Sequence, residues 1–282
     1  MEAQTQTWPI GGLNFTVDIA GAPSRPPVLL LHGFPQNRRM WRYQLSALAA
    51  AGFYAVAPDQ RGYSSGARPR QVAAYASDLL TSDALALMDT RGAARFHLVG
   101  HDWGGQLAWL IAAAHPERVA TLTMLSRPHP AAFARALVED PEQAARSQHH
   151  RGFRQPDAID RLEQDNFKLL RSLLEREGIA AEDVDIYLKP LDEDGALEAA
   201  VNWYRASVIA LAAIAPVSVP TLYIWGTADV NVGRRAAELT AEFVRGPYRL
   251  VEIEGGGHFI VDQFPERIAG LLVAHVQSAA SI

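Results

Sequence analysis

The sequence predicts an α/β protein: a mostly parallel sheet flanked by helices and interrupted by a helical insertion. Three observations carry this. Short apolar runs alternate with helical stretches from Val28 to Leu125, the order that builds a parallel sheet covered on both faces. Pro128 to Pro216 then holds no convincing strand. Strand signals return at Thr221. The expected division is a core of 1–128 and 217–282 with an inserted helical domain of 129–216.

The elements follow in order. Val28-Leu29-Leu30-Leu31 is a buried strand that ends at His32-Gly33. Arg39 to Ala51 places Trp41, Leu45 and Leu48 at helical spacing, and Gly52 ends it. Tyr54–Ala57 is the next strand, Gln71–Met88 a helix, Phe96–Val99 a strand, Gln106–Ala114 a helix and Leu122–Leu125 a strand. Helices are expected at Ala158–Glu177 and Ala196–Ala215 within the insertion. Beyond it, Thr221–Trp225 and Tyr248–Ile253 are strands, and Pro265–Gln277 is the last helix.

Bulk properties set limits. The 282 residues are 49% hydrophobic, enough for one large core. A net charge of -5 gives no clustered basic face for nucleic acid. No cysteine is present, which excludes disulfides, thiolate catalysis and cysteine metal sites. The first residues have no basic or apolar signal-like region, and no run approaches a membrane span, so a soluble, cytoplasmic protein is expected. No His-Glu-x-x-His arrangement and no dinucleotide fingerprint occur, so neither metal nor cofactor is expected. A homodimer is compatible with the sequence.

The chemistry concentrates at Gly100-His101-Asp102-Trp103-Gly104, between a strand and a helix. This is the frame of a nucleophile elbow, usually written with serine. A carboxylate there is already ionised and needs no base to activate it. It suits displacement at a saturated carbon, giving an ester that a histidine-activated water must cleave. The ordinary alternative is that Asp102 caps its helix. Asp229 and His258 follow on loops at strand ends, in the order nucleophile, acid, histidine. Asp262 lies too close behind His258 to fit that order as the acid. His258 would deprotonate water and Asp229 would orient it. The backbone N–H groups of Phe34 and Trp103 form the expected oxyanion hole. Ser64 and Ser126 lack the Gly-x-Ser-x-Gly frame.

His32-Gly33-Phe34-Pro35, Asp59-Gln60-Arg61-Gly62-Tyr63-Ser64, the aspartate elbow and Asn202-Trp203-Tyr204-Arg205 together resemble the α/β-hydrolase superfamily. The likeness is to its epoxide hydrolases and aspartate-nucleophile dehalogenases, over nearly the whole chain. It implies an α/β-hydrolase fold with a helical cap, and a small apolar organic substrate. It also implies two cap tyrosines that protonate an epoxide oxygen. Tyr204 matches one; Gly152 stands where the other would fall, with His149 and His150 a helical turn or less away. The dehalogenase likeness is partial. Trp103 and Gln106 stand where haloacetate dehalogenases carry arginines for a substrate carboxylate, so a carboxylate-bearing substrate is not expected. Phe34 stands where haloalkane dehalogenases carry a polar halide donor. A non-catalytic binding protein on the same fold is the alternative from another class.

Overall fold

In a computed structural model, which describes residues 3–207 and 211–279, eight strands form one sheet. They are β1 (Gln4–Ile10), β2 (Leu13–Ala20), β3 (Pro27–Leu31), β4 (Tyr54–Pro58), β5 (Phe96–His101), β6 (Val119–Leu125), β7 (Thr221–Gly226) and β8 (Tyr248–Ile253). The order across the sheet is β1-β2-β4-β3-β5-β6-β7-β8. β1 and β2 pair antiparallel with their neighbours, and β4 to β8 run parallel with β3. β4, β5 and β7 are buried along their whole length, as strands covered on both faces must be.

Helices α1 (Arg42–Ala50) and α12 (Pro265–Ala279) pack together on one face. α2 (Ser77–Asp89) and α3 (Asp102–Ala114) cover the other. Between β6 and β7 the described residues are helical or irregular: α4 (Pro130–Glu139), α5 (Pro141–Arg146), α6 (His149–Gly152), α7 (Ala158–Arg176), α8 (Ala181–Leu188) and α9 (Ala196–Ala206). α10 (Arg234–Leu239) follows β7, and α11 (Ile260–Gln263) follows β8. Among the described residues no helix is long and apolar enough to cross a membrane.

Several elements differ from the sequence reading. β1 and β2 form a hairpin around Gly11-Gly12 that the reading missed. Most of β1 is exposed, so it carries no apolar run to detect. The Gln71–Met88 helix is split: a 3-10 turn at Val72–Tyr75 precedes α2, and Ala76 between them is extended. α3 begins at Asp102, four residues earlier than expected. α7 is broken where Asp165, Asn166 and Phe167 take positive φ of 52°, 57° and 59°, and Phe167 there is buried. α9 ends at Ala206; of the expected continuation, 208–210 lie outside the described residues, and Leu211–Ala213 form a 3-10 turn.

Two of the stretches singled out in the sequence turn out to touch. The Trp203 indole N–H donates to the Arg61 carbonyl at 2.8 Å, and the Tyr63 ring packs edge-on to Trp203. This bond fastens α9 to the loop after β4. Trp203→Phe leaves the Arg61 carbonyl unpaired and trims a buried ring. Denaturant unfolding is expected to show a loss of about 1–3 kcal/mol; an unchanged midpoint would remove this bond from the account.

Candidate active site

Asp102 opens α3 with φ of 50°, a left-handed conformation costly for a residue with a Cβ. The turn is tight enough that a Cβ on Gly104 would strike the Leu31 carbonyl, and one on Gly33 would strike the Asp102 side chain. Glycine at both positions is therefore a steric requirement. The carboxylate does not cap its own helix. Its Oδ1 accepts from the Phe34 N–H at 2.9 Å, a donor on the loop after β3. The Trp103 amide lies in the first turn of α3, where N–H groups lack partners within the helix.

His258, on the loop after β8, lies with Nε2 at 3.6 Å from Asp102 Oδ2. Its Nδ1–H donates to Asp229, at 3.1 Å from both carboxylate oxygens. Asp229, after β7, is buried and also accepts from the N–H groups of Asn231 and Val232. Asp262 serves elsewhere: it accepts from the Tyr187 hydroxyl and Arg42, tying α8 and α11 to α1.

The electrostatics follow from burial and these neighbours. Burial pushes the Asp102 carboxyl up, but hydrogen bonding to His258 and the charges of His258, His101 and Arg127 outweigh it. The group lies below the ordinary carboxylate range. Burial pushes His258 down, yet the Asp229 charge, with Asp102 beside it, raises the imidazole to about 10. Burial raises the Tyr204 hydroxyl well above its ordinary value, and the Asp102 charge adds to this. Tyr204 thus keeps its proton. Its ring stands edge-on to Trp103, with centroids 4.9 Å apart, and edge-on to Phe34.

His149 and His150 follow the next turn of chain. The His150 ring lies against Trp103 and Tyr204, with centroids 6.4 and 5.5 Å away. Burial pulls it down to about 3, so it is a neutral imidazole. His149 donates from Nδ1 to the Arg146 carbonyl and packs on Phe153. Space is open beside Gly152, where a Cβ would meet nothing within 4 Å. An apolar cavity of about 250 Å³ adjoins it, lined by Phe153, Leu162, Leu170 and Leu173 among others.

The helices between β6 and β7 brace the site loops. Gln143 on α5 bonds the Asn231 carbonyl and the Gly233 N–H beyond Asp229. Glu177, which ends α7, accepts from the His258 N–H at 3.0 Å. The sequence reading missed three buried neighbours. His101 Nε2–H donates to the His258 carbonyl, 2.9 Å away. Tyr63 feels the charge of Asp102. Arg127 follows β6. The first two stand inside stretches already singled out; nothing local marks the third. Among the described residues no group of three or more His, Asp or Glu could hold a metal ion.

The chain belongs to the α/β-hydrolase fold family, whose model matches residues 26–265. Among curated relatives, Epoxide hydrolase A of Mycobacterium tuberculosis is 34% identical, over 93% of this chain and 94% of its own. Epoxide hydrolase 4 of Mus musculus is 33% identical, over 94% of this chain and 77% of its own. Among solved structures, Epoxide Hydrolase A from Mycobacterium thermoresistibile superposes with a TM-score of 0.82 at 27% identity, covering 98% of both chains. A Bacillus megaterium epoxide hydrolase gives 0.88 at 25% identity, covering 96% of this chain and all of its own. The protein is thus an α/β-hydrolase enzyme.

Two carboxylates flanking one imidazole have a measurable consequence. In nuclear magnetic resonance titration of the free protein, His258 is expected to stay protonated to about pH 10. Asp102→Asn should lower that midpoint by roughly 1–3 pH units, the usual effect of one adjacent opposite charge. A midpoint near 6.5 in the unaltered protein would contradict the arrangement.

Proposed function

We propose that the enzyme hydrolyses an epoxide to a diol through an ester on Asp102. The observation that carries this is a half-buried, ionised carboxylate on a strained elbow, with a protonated tyrosine packed over the residue beside it. The named relatives support the reading. The helices between β6 and β7 would act as the cap, with the core on either side of 129–216.

Asp102 Oδ2 attacks a ring carbon, and the bond from that carbon to the ring oxygen breaks. Tyr204 gives its proton to the oxygen. His150, a neutral imidazole that can donate one N–H, is the second candidate donor in place of the tyrosine absent at Gly152; His149 spends one nitrogen on the Arg146 carbonyl. Asp102 Oδ1, already held by the Phe34 N–H, becomes the carbonyl oxygen of the ester.

Ester formation removes the negative charge of Asp102. His258 then keeps only Asp229 as counter-ion and its proton is released more readily. Chemistry in the first step thus frees the base for the second. His258 takes a proton from water as the hydroxide adds to the ester carbonyl. The oxyanion is held by the N–H groups of Phe34 and Trp103. The bond from the acyl carbon to the alkyl oxygen then breaks, that oxygen takes the proton of the new carboxyl group, and the diol leaves with an oxygen that came from Asp102; the proton His258 released after the first step restores the Tyr204 hydroxyl.

The dehalogenase reading is weaker because Phe34 offers no side-chain N–H to a halide and packs against Tyr204 and Phe153. His258→Ala, incubated with styrene oxide, is expected to gain the mass of the epoxide on the peptide bearing Asp102. Chloride release from haloalkanes without diol formation from epoxides would favour the dehalogenase; no adduct from either class would favour a binding protein. Tyr204→Phe is expected to slow adduct formation by roughly 10²–10⁴-fold, the usual worth of a positioned acid. Asp102 stays ionised at low pH, whereas in the ester form His258 has lost the Asp102 charge and must be neutral to act, so acidification, which reprotonates it there, should slow ester cleavage before ester formation. Rapid-quench mass spectrometry at descending pH should then find the adduct accumulating.

A further inference from the structure

Arg127 is the odd cation of the interior. Arg38, Arg42 and Arg61 are half-buried, and each is paired with carboxylates: Arg38 with Asp18 and Asp59, Arg42 with Asp183 and Asp262, Arg61 with Asp83. Arg127 is fully buried, and among the described residues it has no carboxylate partner. Its charge and that of Asp102 act on each other, but no carboxylate bonds it, and a buried charge without a bonded partner is unfavourable.

Its position is over-determined. Ser126, at φ of 50°, turns the chain at the end of β6. The Arg127 side chain then packs against Gly105 in the first turn of α3, where an added Cβ would fall within 2.8 Å of Arg127 Cβ. Its guanidinium lies over the Phe133 ring, 4.8 Å from the centroid. Nε and Nη2 both donate to Gln106 Oε1, at 3.1 and 2.5 Å. Nη1 bonds no acceptor among the described residues. The bond to Oε1 fixes the amide orientation of Gln106, and its buried Nε2 is left without a partner. Each of the two side chains therefore keeps an unmet donor.

They lie at a cavity of about 600 Å³ whose wall includes Trp103, Gln106, Arg127, His150, Arg151 and Arg154. None of the described residues lining it is Asp or Glu. Asp102 does not itself line it, but Trp103, the next residue, is part of its wall, and the charges of Arg127 and Asp102 act on each other across that wall. The α6 turn separates the two cavities: His149 faces the apolar one and His150 the cationic one.

We propose that the physiological substrate carries a carboxylate, which Arg127 and the Gln106 amide receive in this cavity while its apolar body reaches Asp102. This rests on the reading of Asp102 as the nucleophile, and it departs from the expectation drawn from Trp103 and Gln106 in the sequence. Arginine is missing from the positions after Asp102, but Arg127 arrives at the tip of Gln106 from a different strand. Guanidinium binds carboxylate through paired, charge-assisted hydrogen bonds.

The test uses two pairs of compounds on the intact protein. In calorimetric titration, 4-ethylbenzoate is compared with 4-ethylbenzamide, neither of which can react. In turnover, 4-(oxiran-2-yl)benzoate is compared with its methyl ester. The unaltered enzyme is expected to prefer the carboxylate by about 10–100-fold in both assays, the range for one desolvated charged hydrogen-bonding group. Arg127→Gln should abolish the preference, and Arg127→Lys should keep part of it. Equal binding of benzoate and benzamide by the unaltered protein would overturn the proposal whether or not the variants fold. So would an Arg127→Gln protein that loses affinity for both compounds alike, since that is what a merely structural arginine would give. Carboxylate-selective binding without turnover of either epoxide would instead sink the Asp102 reading and leave this site standing.

Discussion

The arrangement on which the rest depends is a single imidazole held between two carboxylates, Asp229 buried and Asp102 half-buried. Carboxylates drawn out of water need a compensating charge or hydrogen bonds. His258 between them supplies the compensating charge, and backbone N–H groups complete it: Phe34 for Asp102, Asn231 and Val232 for Asp229. The same grouping keeps Asp102 ionised and unsolvated, which is the condition for a carboxylate to act as a nucleophile. It also makes His258 a poor base until Asp102 loses its charge. The electrostatics thereby impose an order on the proposed two steps without any moving part.

Holding three charged groups to this geometry requires rigid loops, and the helices between β6 and β7 supply much of the bracing. Gln143 fixes the chain beyond Asp229, Glu177 holds the amide of His258, and Trp203 bonds the loop that carries Tyr63. The insertion that would close over a substrate is thus bonded to the loops that carry the acid and the histidine. A substitution on a surface turn of α7 could reach the imidazole through Glu177.

The elbow was legible in the sequence because its constraint is local. A left-handed residue, flanked by glycines that a Cβ would force apart, leaves its signature in five consecutive positions. Asp229 and His258 were legible because parallel strands deliver functional loops at their carboxyl ends, in a fixed chain order. Other features lacked a local sign. β1 is an edge strand with an exposed, polar sequence, and only the Gly11-Gly12 turn betrays its hairpin. The break in α7 lies within an unbroken helical pattern. Arg127 looks like any arginine after a strand; what singles it out is burial without a carboxylate bonded to it, and that depends on long-range packing.

The central claim is that an oxygen of Asp102 forms the new bond to substrate carbon. A single turnover in ¹⁸O-labelled water, with enzyme in excess over epoxide, addresses it most directly. The account predicts an unlabelled first-turnover diol and one heavy oxygen in the peptide bearing Asp102. A labelled diol with an unlabelled Asp102 would mean that water attacks the ring itself, and would contradict it.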